Sequence, residues 1–380
     1  MTRTGRCLLL LAVGAGPAAA QSSEFGVRGL GLPLKPISVR ARATGGAFGL
    51  FDPESGLNPA SIAPVTYVTA SFQTTQNWRR SETPSGTASV KDNRYPGIIV
   101  SGPIGGTRLA LALSASGYTD RNFELASRDT LLLRDVPVEV FDTLTSQGGM
   151  TDLRVALGWR QSRAVQWGLG LHLLTGSNRI VSRRAFADTL YASAAERFTM
   201  SYLGFGASAG VMARVGTLLT LAGMVRAENR LKVERDTARF GQTQLPLTVS
   251  GGARLQVTGQ LQVAGSATFR NWSVADQDLV AQGGEGSSDT FEVNGGLEFL
   301  PDPKRPNRRP IRLGVYHASL PFPLVRGDEV NETGVSIGTG VRFVGGRAGL
   351  DLALERVWRK ASAGFRERAT LVTLGISIRP

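Results

Sequence analysis

The chain is almost free of cysteine and histidine. Cys7 is its only cysteine, which excludes a disulfide framework, a cysteine metal site and a thiol nucleophile. His172 and His317 are its only histidines, too few for a His-rich zinc centre, so no metal and no cofactor is expected. Charged residues are held to 19% and aromatics to 7%. Outside the N-terminus no apolar run approaches the ~18–20 residues of a membrane helix, which excludes a helical membrane protein. A basic stripe is missing as well. The formal charge is +13, but bases alternate with acids, as in Arg226, Glu228, Arg230, Lys232, Glu234, Arg235 and Asp236. Nucleic-acid binders instead cluster Lys and Arg on one face, so no nucleic-acid partner is expected.

Glycine is abundant, 47 in 380 residues, and apolar residues make up 42%, which argues against disorder. Arg3 and Arg6, the apolar Cys7 to Val13 and the small Pro17-Ala18-Ala19-Ala20 read as a leader over residues 1–20, directing export.

The main signal has a period of two. Leu153, Val155, Leu157 and Trp159 alternate with Asp152, Arg154, Ala156 and Gly158. Ile311, Leu313 and Val315 alternate with Arg312, Gly314 and Tyr316, and similar runs continue to Ile378. Successive strand residues point to opposite faces, so one face meets an apolar phase and the other does not. A soluble half-buried sheet alternates too. However, these segments often reach 10 or more residues, no helical pattern intervenes, and the second face mixes Gly, Ala and Ser with scattered charges. The expected fold is all-β: a transmembrane antiparallel barrel of about fourteen strands over residues 64–380, with short and long connections in alternation.

Residues 21–63 precede the first strand and carry Phe25, Leu30, Leu32, Leu34, Ile37, Val39, Phe48, Leu50, Phe51 and Leu57. Apolar residues at this density need burial, and a fourteen-strand lumen is wider than wall side chains fill. An N-terminal plug is therefore expected.

The run from Ser38 to Phe48 (with Gly45-Gly46), followed by Asp52, Ser55 and Asn58-Pro59-Ala60-Ser61-Ile62, resembles the hatch of the FadL-type outer-membrane transporters. The resemblance implies a fourteen-stranded barrel plugged by this hatch and passive movement of hydrophobic compounds such as long-chain fatty acids. It also implies a lateral route through the wall near a kink in an early strand. The implied setting is a Gram-negative-type outer membrane, with lipid, lipopolysaccharide and the barrel-assembly machinery as partners of a monomer. A related branch serves as secretion-system barrels that bind proteins, and a nonselective porin is a further reading. Both stay open.

The candidate gating residues are Gly45, Gly46, Phe48, Phe51, Asn58, Pro59 and Ala60. Asn58 reads equally as a pin between plug and wall and as an ordinary turn. Pro96 and Gly97, facing Ser114 to Gly117, are candidates for the opening, since proline cannot donate to a ladder and strand glycine marks bends. The plain alternative is a loop that ends at Gly97. Asp152, Arg154, Arg254, Glu292, Glu298, Arg312, Arg342 and Asp351 lie on the inward phase, as lumen salt bridges or a carboxylate site. Trp78, Tyr118, Trp159, Trp167, Trp272 and Trp358 are expected in interfacial girdles. No spacing joins a nucleophile, base and orienter, so no catalytic residue is assigned and a non-enzyme is expected.

Overall fold

The computed structural model describes residues 24–83, 86–302, 309–362 and 364–379; the leader reading falls outside them. Fourteen strands form the wall. They are β1 (Thr69–Thr83), β2 (Gly86–Pro103), β3 (Leu109–Asp120), β4 (Val136–Arg160), β5 (Val165–Phe186), β6 (Ala194–Val215) and β7 (Leu219–Glu228). The second half comprises β8 (Thr248–Gln256), β9 (Leu261–Arg270), β10 (Thr290–Phe299), β11 (Ile311–Leu320), β12 (Val330–Phe343), β13 (Ala348–Ala361) and β14 (Arg366–Ile378). Each runs antiparallel to the next, and β14 pairs with β1 from Ile378↔Ala70 to Arg366↔Glu82, closing the ring. Ring closure pairs the first and last strands, as a sheet in hydrocarbon requires, since an unsatisfied amide there is costly.

The alternation sorts as the period requires. Leu153, Val155, Leu157, Leu169, Leu171, Val315 and Ile337 face outward and are exposed, while Asp152, Arg154, Arg312 and Asp351 face inward and are buried. Several stretches that read as long polar connections are strand instead. β4 and β5 stay paired from Arg160↔Gln166 to Val140↔Phe186, and β1 and β2 run to Thr83↔Gly86. Beyond the membrane both faces meet water, so the alternation fades although the backbone ladder continues. A strand at Phe123–Leu133 pairs with the outer part of β4, and a hairpin of Leu231–Arg235 and Ala238–Thr243 extends β6.

Two expected girdle residues turn inward. Tyr118 shares the inward phase of Ala110 and Ala112, and its hydroxyl donates to Glu228 at 2.9 Å. Trp272 begins a helical turn (Trp272–Ala275) that leaves the wall and folds over the mouth. There it is buried against Phe322, Leu30, Met150, Leu174 and Leu245. Trp78, Trp159 and Trp167 are exposed on the outer face.

Candidate functional site

Residues 24–63 pack against the inward face of the wall, and the chain is exposed again by Thr66–Val68. Ser38 opens the one-turn helix Val39–Ala43: its Oγ accepts from Ala41 N at 3.0 Å and donates to Asp52 at 2.7 Å, tying the turn to the chain fourteen residues on. Gly45 follows with φ +64°, a left-handed conformation that a side chain disfavours, and its amide donates to Ser336 of β12. A Cβ there would also lie 2.6 Å from the Val315 backbone.

The wall is cut to match. Side chains at Gly296, Gly314 and Gly338 would collide with Ala43, Thr44 and Gly45; at Gly158, Gly168 and Gly210 they would collide with Asn58 to Ala63. The inward glycines of β4, β5, β6, β10, β11 and β12 thus form two docking patches for the segment. Between the patches Phe48 and Phe51 pack with Leu50 and Ala60 onto Met212, Ala222, Met224 and Ala264. Asn58, fully buried, caps the turn Pro59–Ile62: its Oδ1 accepts from Ala60 N at 3.0 Å, and its Nδ2 donates to Leu50 O at 3.1 Å and, more distantly, to Val211 O of β6 at 3.5 Å. Both readings of Asn58 therefore find contacts: it shapes a turn and touches the wall.

Cations of the segment meet acids of the wall. Arg40 grips Glu298 with two donors at 2.9 and 2.7 Å, Lys35 lies 2.9 Å from Glu292, and Arg42 lies 3.4 Å from Glu355. Burial opposes the Arg40 charge, but Glu298 and Asp52 outweigh it and hold the guanidinium above its ordinary range. Six of the eight inward charges join these networks. Glu298 also accepts from Arg312, which reaches Asp351, which accepts from Arg342, each at 2.7 Å. Glu292 faces Arg270 as well as Lys35. Asp152 accepts from Arg226 at 2.7 Å and stands against His172. Arg154 donates to Gly56 O at 2.8 Å, and Arg254 stacks over Phe51 at 5.3 Å.

The candidate opening coincides with a seam. The β2–β3 ladder runs from Pro103↔Ala110 to Gly97↔Ser116 and pairs no further among the described residues. Beyond it β2 keeps only β1, across a register shift opposite Tyr95 and Pro96. On the other side of the seam, the short strand Leu32–Pro33 of the N-terminal segment pairs with Asp120 and Thr119 of β3. Leu34 N donates to Tyr118 O, which leaves Pro33, without an N–H, at the position that needs none. Gly117 makes room for Leu34: a Cβ would stand 2.5 Å from its side chain. Behind the seam is a cavity of about 20 Å³ lined by Glu54, Gly56, Gln73, Gly97 and Ser116. Glu54 accepts from Ser71 of β1 at 3.1 Å. Burial and the neighbouring Asp52 and Asp351 push its carboxyl up to about 7, against the pull of Arg342 and of the Ser71 hydroxyl.

A second cavity of about 80 Å³ lies toward the mouth. Leu34, Leu57, Met224 and Trp272 line it beside Asp152, Arg226 and Glu292.

The interior segment, the closed fourteen-strand ring and the seam can be compared with known proteins. No protein-family model matches the chain. No curated relative matches it either. Among solved structures, a FadL homologue of Pseudomonas aeruginosa superposes with a TM-score of 0.65 over 92% of this chain and 99% of its own, at 14% identity.

The fold is that of the FadL-type channels.

The CymD monoaromatic hydrocarbon channel (TM-score 0.57, 13% identity, 92% and 98% coverage) and the Pseudomonas putida toluene transporter TodX (0.56, 11%, 91% and 99%) share this FadL-type fold. The names of these two are those of a channel and a transporter, not of enzymes. Lys35, Arg40, Arg42 and Arg226, which carry the interior ion pairs, were not singled out from sequence. Arg40-x-Arg42 beside the glycine pair was the available signal.

Proposed function

We propose that the chain is an outer-membrane channel for passive uptake of hydrophobic compounds, with residues 24–63 as its hatch and the β2–β3 seam as a lateral exit. The end of the β2–β3 ladder at Gly97 and Ser116, beyond which Leu32–Pro33 takes the β3 edge, is the observation that carries this reading. A lumen with charges on both sides is a poor path for a hydrocarbon, whereas a gap in the wall leads into the bilayer. Similarity to a monoaromatic hydrocarbon channel and a toluene transporter supports the same substrate class. The interior cavity, about 80 Å³, offers an apolar side of Leu34, Leu57, Met224 and Trp272. A long-chain fatty acid requires the hatch to shift. Outer-membrane lipid is then the medium that receives the ligand.

The test locks the interior segment onto the β3 side of the seam. Pro33→Cys with Thr119→Cys joins a non-hydrogen-bonded antiparallel pair, the geometry in which side chains lie closest. Uptake of a labelled aromatic hydrocarbon or fatty acid is expected to stop when the pair is oxidised and to return with reductant. Unchanged uptake in the oxidised protein overturns the lateral route. Lipid-like ligand in the purified protein, detected by mass spectrometry, supports uptake. Hydrophilic-solute conductance, or co-purifying protein without ligand, turns the reading to the porin or the secretion barrel.

A further inference from the structure

Asp152, His172 and Ser208 stand side by side on β4, β5 and β6. Nδ1 of His172 lies 3.0 Å from both carboxylate oxygens of Asp152, and Nε2 lies 2.9 Å from Oγ of Ser208. A carboxylate on Nδ1 fixes the ring proton there and leaves Nε2 to accept from the serine, which is the orienter, base and nucleophile arrangement of acyl-transfer sites. The register sets Gly170 directly across from Ser208. A Cβ on Gly170 would meet Ser208 Oγ at 2.5 Å, His172 Nε2 at 3.5 Å and Arg154 Cδ at 3.7 Å, so the missing side chain leaves open the point where these groups converge. Arg154 spends Nη1 on Gly56 O and Nε on Ser114, while its buried Nη2 has no hydrogen-bond partner among the described residues. That leaves one buried guanidinium donor of this cluster unspent.

Ser208 is also the centre of Gly206-Ala207-Ser208-Ala209-Gly210, whose two glycines share its inward face. β6 runs straight through this sequence, so there is no strand-to-helix elbow; Gly210 leaves room for the interior segment on one flank of the hydroxyl, and Glu228 of β7 takes the space at Gly206 on the other. Asn58 and Pro59 of the interior segment fill the Gly210 flank, two residues along β6 from the serine. The larger cavity begins next to it, at Gly56, Leu57, Asp152 and Arg226.

We propose that Asp152, His172 and Ser208 form a latent esterase centre for acyl esters of lipid-like molecules, uncovered when the interior segment draws back. Ser208 Oγ forms a bond to the ester carbonyl carbon as His172 Nε2 takes its proton, and the carbonyl electron pair moves to the oxygen facing Arg154. Collapse breaks the bond to the alkoxy oxygen, which leaves as alcohol with the proton from His172. Water then attacks the acyl-Ser208 by the same route, releasing the carboxylic acid and restoring the serine. Arg226 holds the outer side of Asp152, which positions His172.

The experiment uses the full chain in detergent, a fluorophosphonate probe with peptide mass spectrometry, and hydrolysis of p-nitrophenyl butyrate. A covalent adduct at Ser208 is expected, at least tenfold faster in the Asn58→Ala, Pro59→Ala protein, absent in Ser208→Ala, and slowed about a hundredfold in His172→Gln, in line with loss of a general base. Labelling is read without any transported ligand, so its outcome and that of the uptake test are independent. The proposal is overturned if neither the wild type nor the loosened protein labels at Ser208 while both keep a heat-modifiable barrel band. It is equally overturned if His172→Gln labels at the wild-type rate.

Discussion

Arg40 and Glu298 are 258 positions apart in the chain, yet the guanidinium of one holds the carboxylate of the other through two hydrogen bonds at 2.9 and 2.7 Å. Glu298 is shared with Arg312, so one wall acid serves both the barrel's own charge ladder and the segment inside it. The interior segment is thereby fastened electrostatically, while the glycine patches set how closely it sits.

Removing Arg40 leaves Glu298 with Arg312 as its remaining partner, so the cost should fall below the roughly 3–5 kcal/mol of a buried charge left with none. Arg40→Ala is expected to loosen residues 38–62 and leave the barrel closed. Hydrogen exchange should show faster amides in the segment and unchanged amides in β10 and β11. Equal loss of protection in both would show that the pair supports the wall itself.

The docking patches make a steric prediction. Gly168→Val places a side chain where the Pro59–Ala60 backbone lies. The segment should leave its seat, and trypsin should cut at Arg40 or Arg42 at least tenfold faster in a barrel that still migrates as folded on an unboiled gel. Wild-type cleavage rates would mean the wall yields instead.

Glu54 gives the segment a pH dependence. Its carboxyl, near 4.3 in an unfolded chain, stands at about 7 in the seated segment. A raised value means that seating is favoured fully below the unfolded value and that this advantage is lost as pH climbs through 7, where ionised Glu54 faces Asp52 and Asp351. With the intrinsic base-catalysed rise of amide exchange divided out, protection of residues 38–62 should fall between pH 5 and 8 in the wild type, and that fall should be absent in Glu54→Gln. A fall that persists in the variant assigns it to another group.

The outward phase carries its own test. Leu171 is 69% exposed on the outer face of β5. Leu171→Arg at mid-membrane should cost ~2–4 kcal/mol in folding into lipid vesicles. A cost near zero would place this part of β5 outside the hydrocarbon.

Much of the wall was legible because alternation is local. The alternating runs from Asp152 to Trp159 and from Ile311 to Tyr316 lie in β4 and β11, each with its apolar phase outward. Each rests on side chains two apart in the same strand. The long polar stretches were less legible, since Gln76 to Arg94 lies largely in β1 and β2, where hydrogen bonding persists without an apolar face. Tyr118 was misplaced although its even position already put it on the inward phase, whereas Trp272 follows a chain reversal that no periodicity announces.

The sequence alone determined that the chain forms long two-faced strands, how many there are, which charges face inward, and that the apolar N-terminal stretch needs an interior. All of these follow from the period of two and the cost of exposing apolar residues to water. Only the tertiary structure decided which inward groups meet: Arg40 with Glu298, Asp152 with His172 and Ser208, Leu32–Pro33 with β3 at the seam. Those pairings depend on ring closure and on the register between strands, which couple residues tens to hundreds of positions apart and leave no mark in any local stretch.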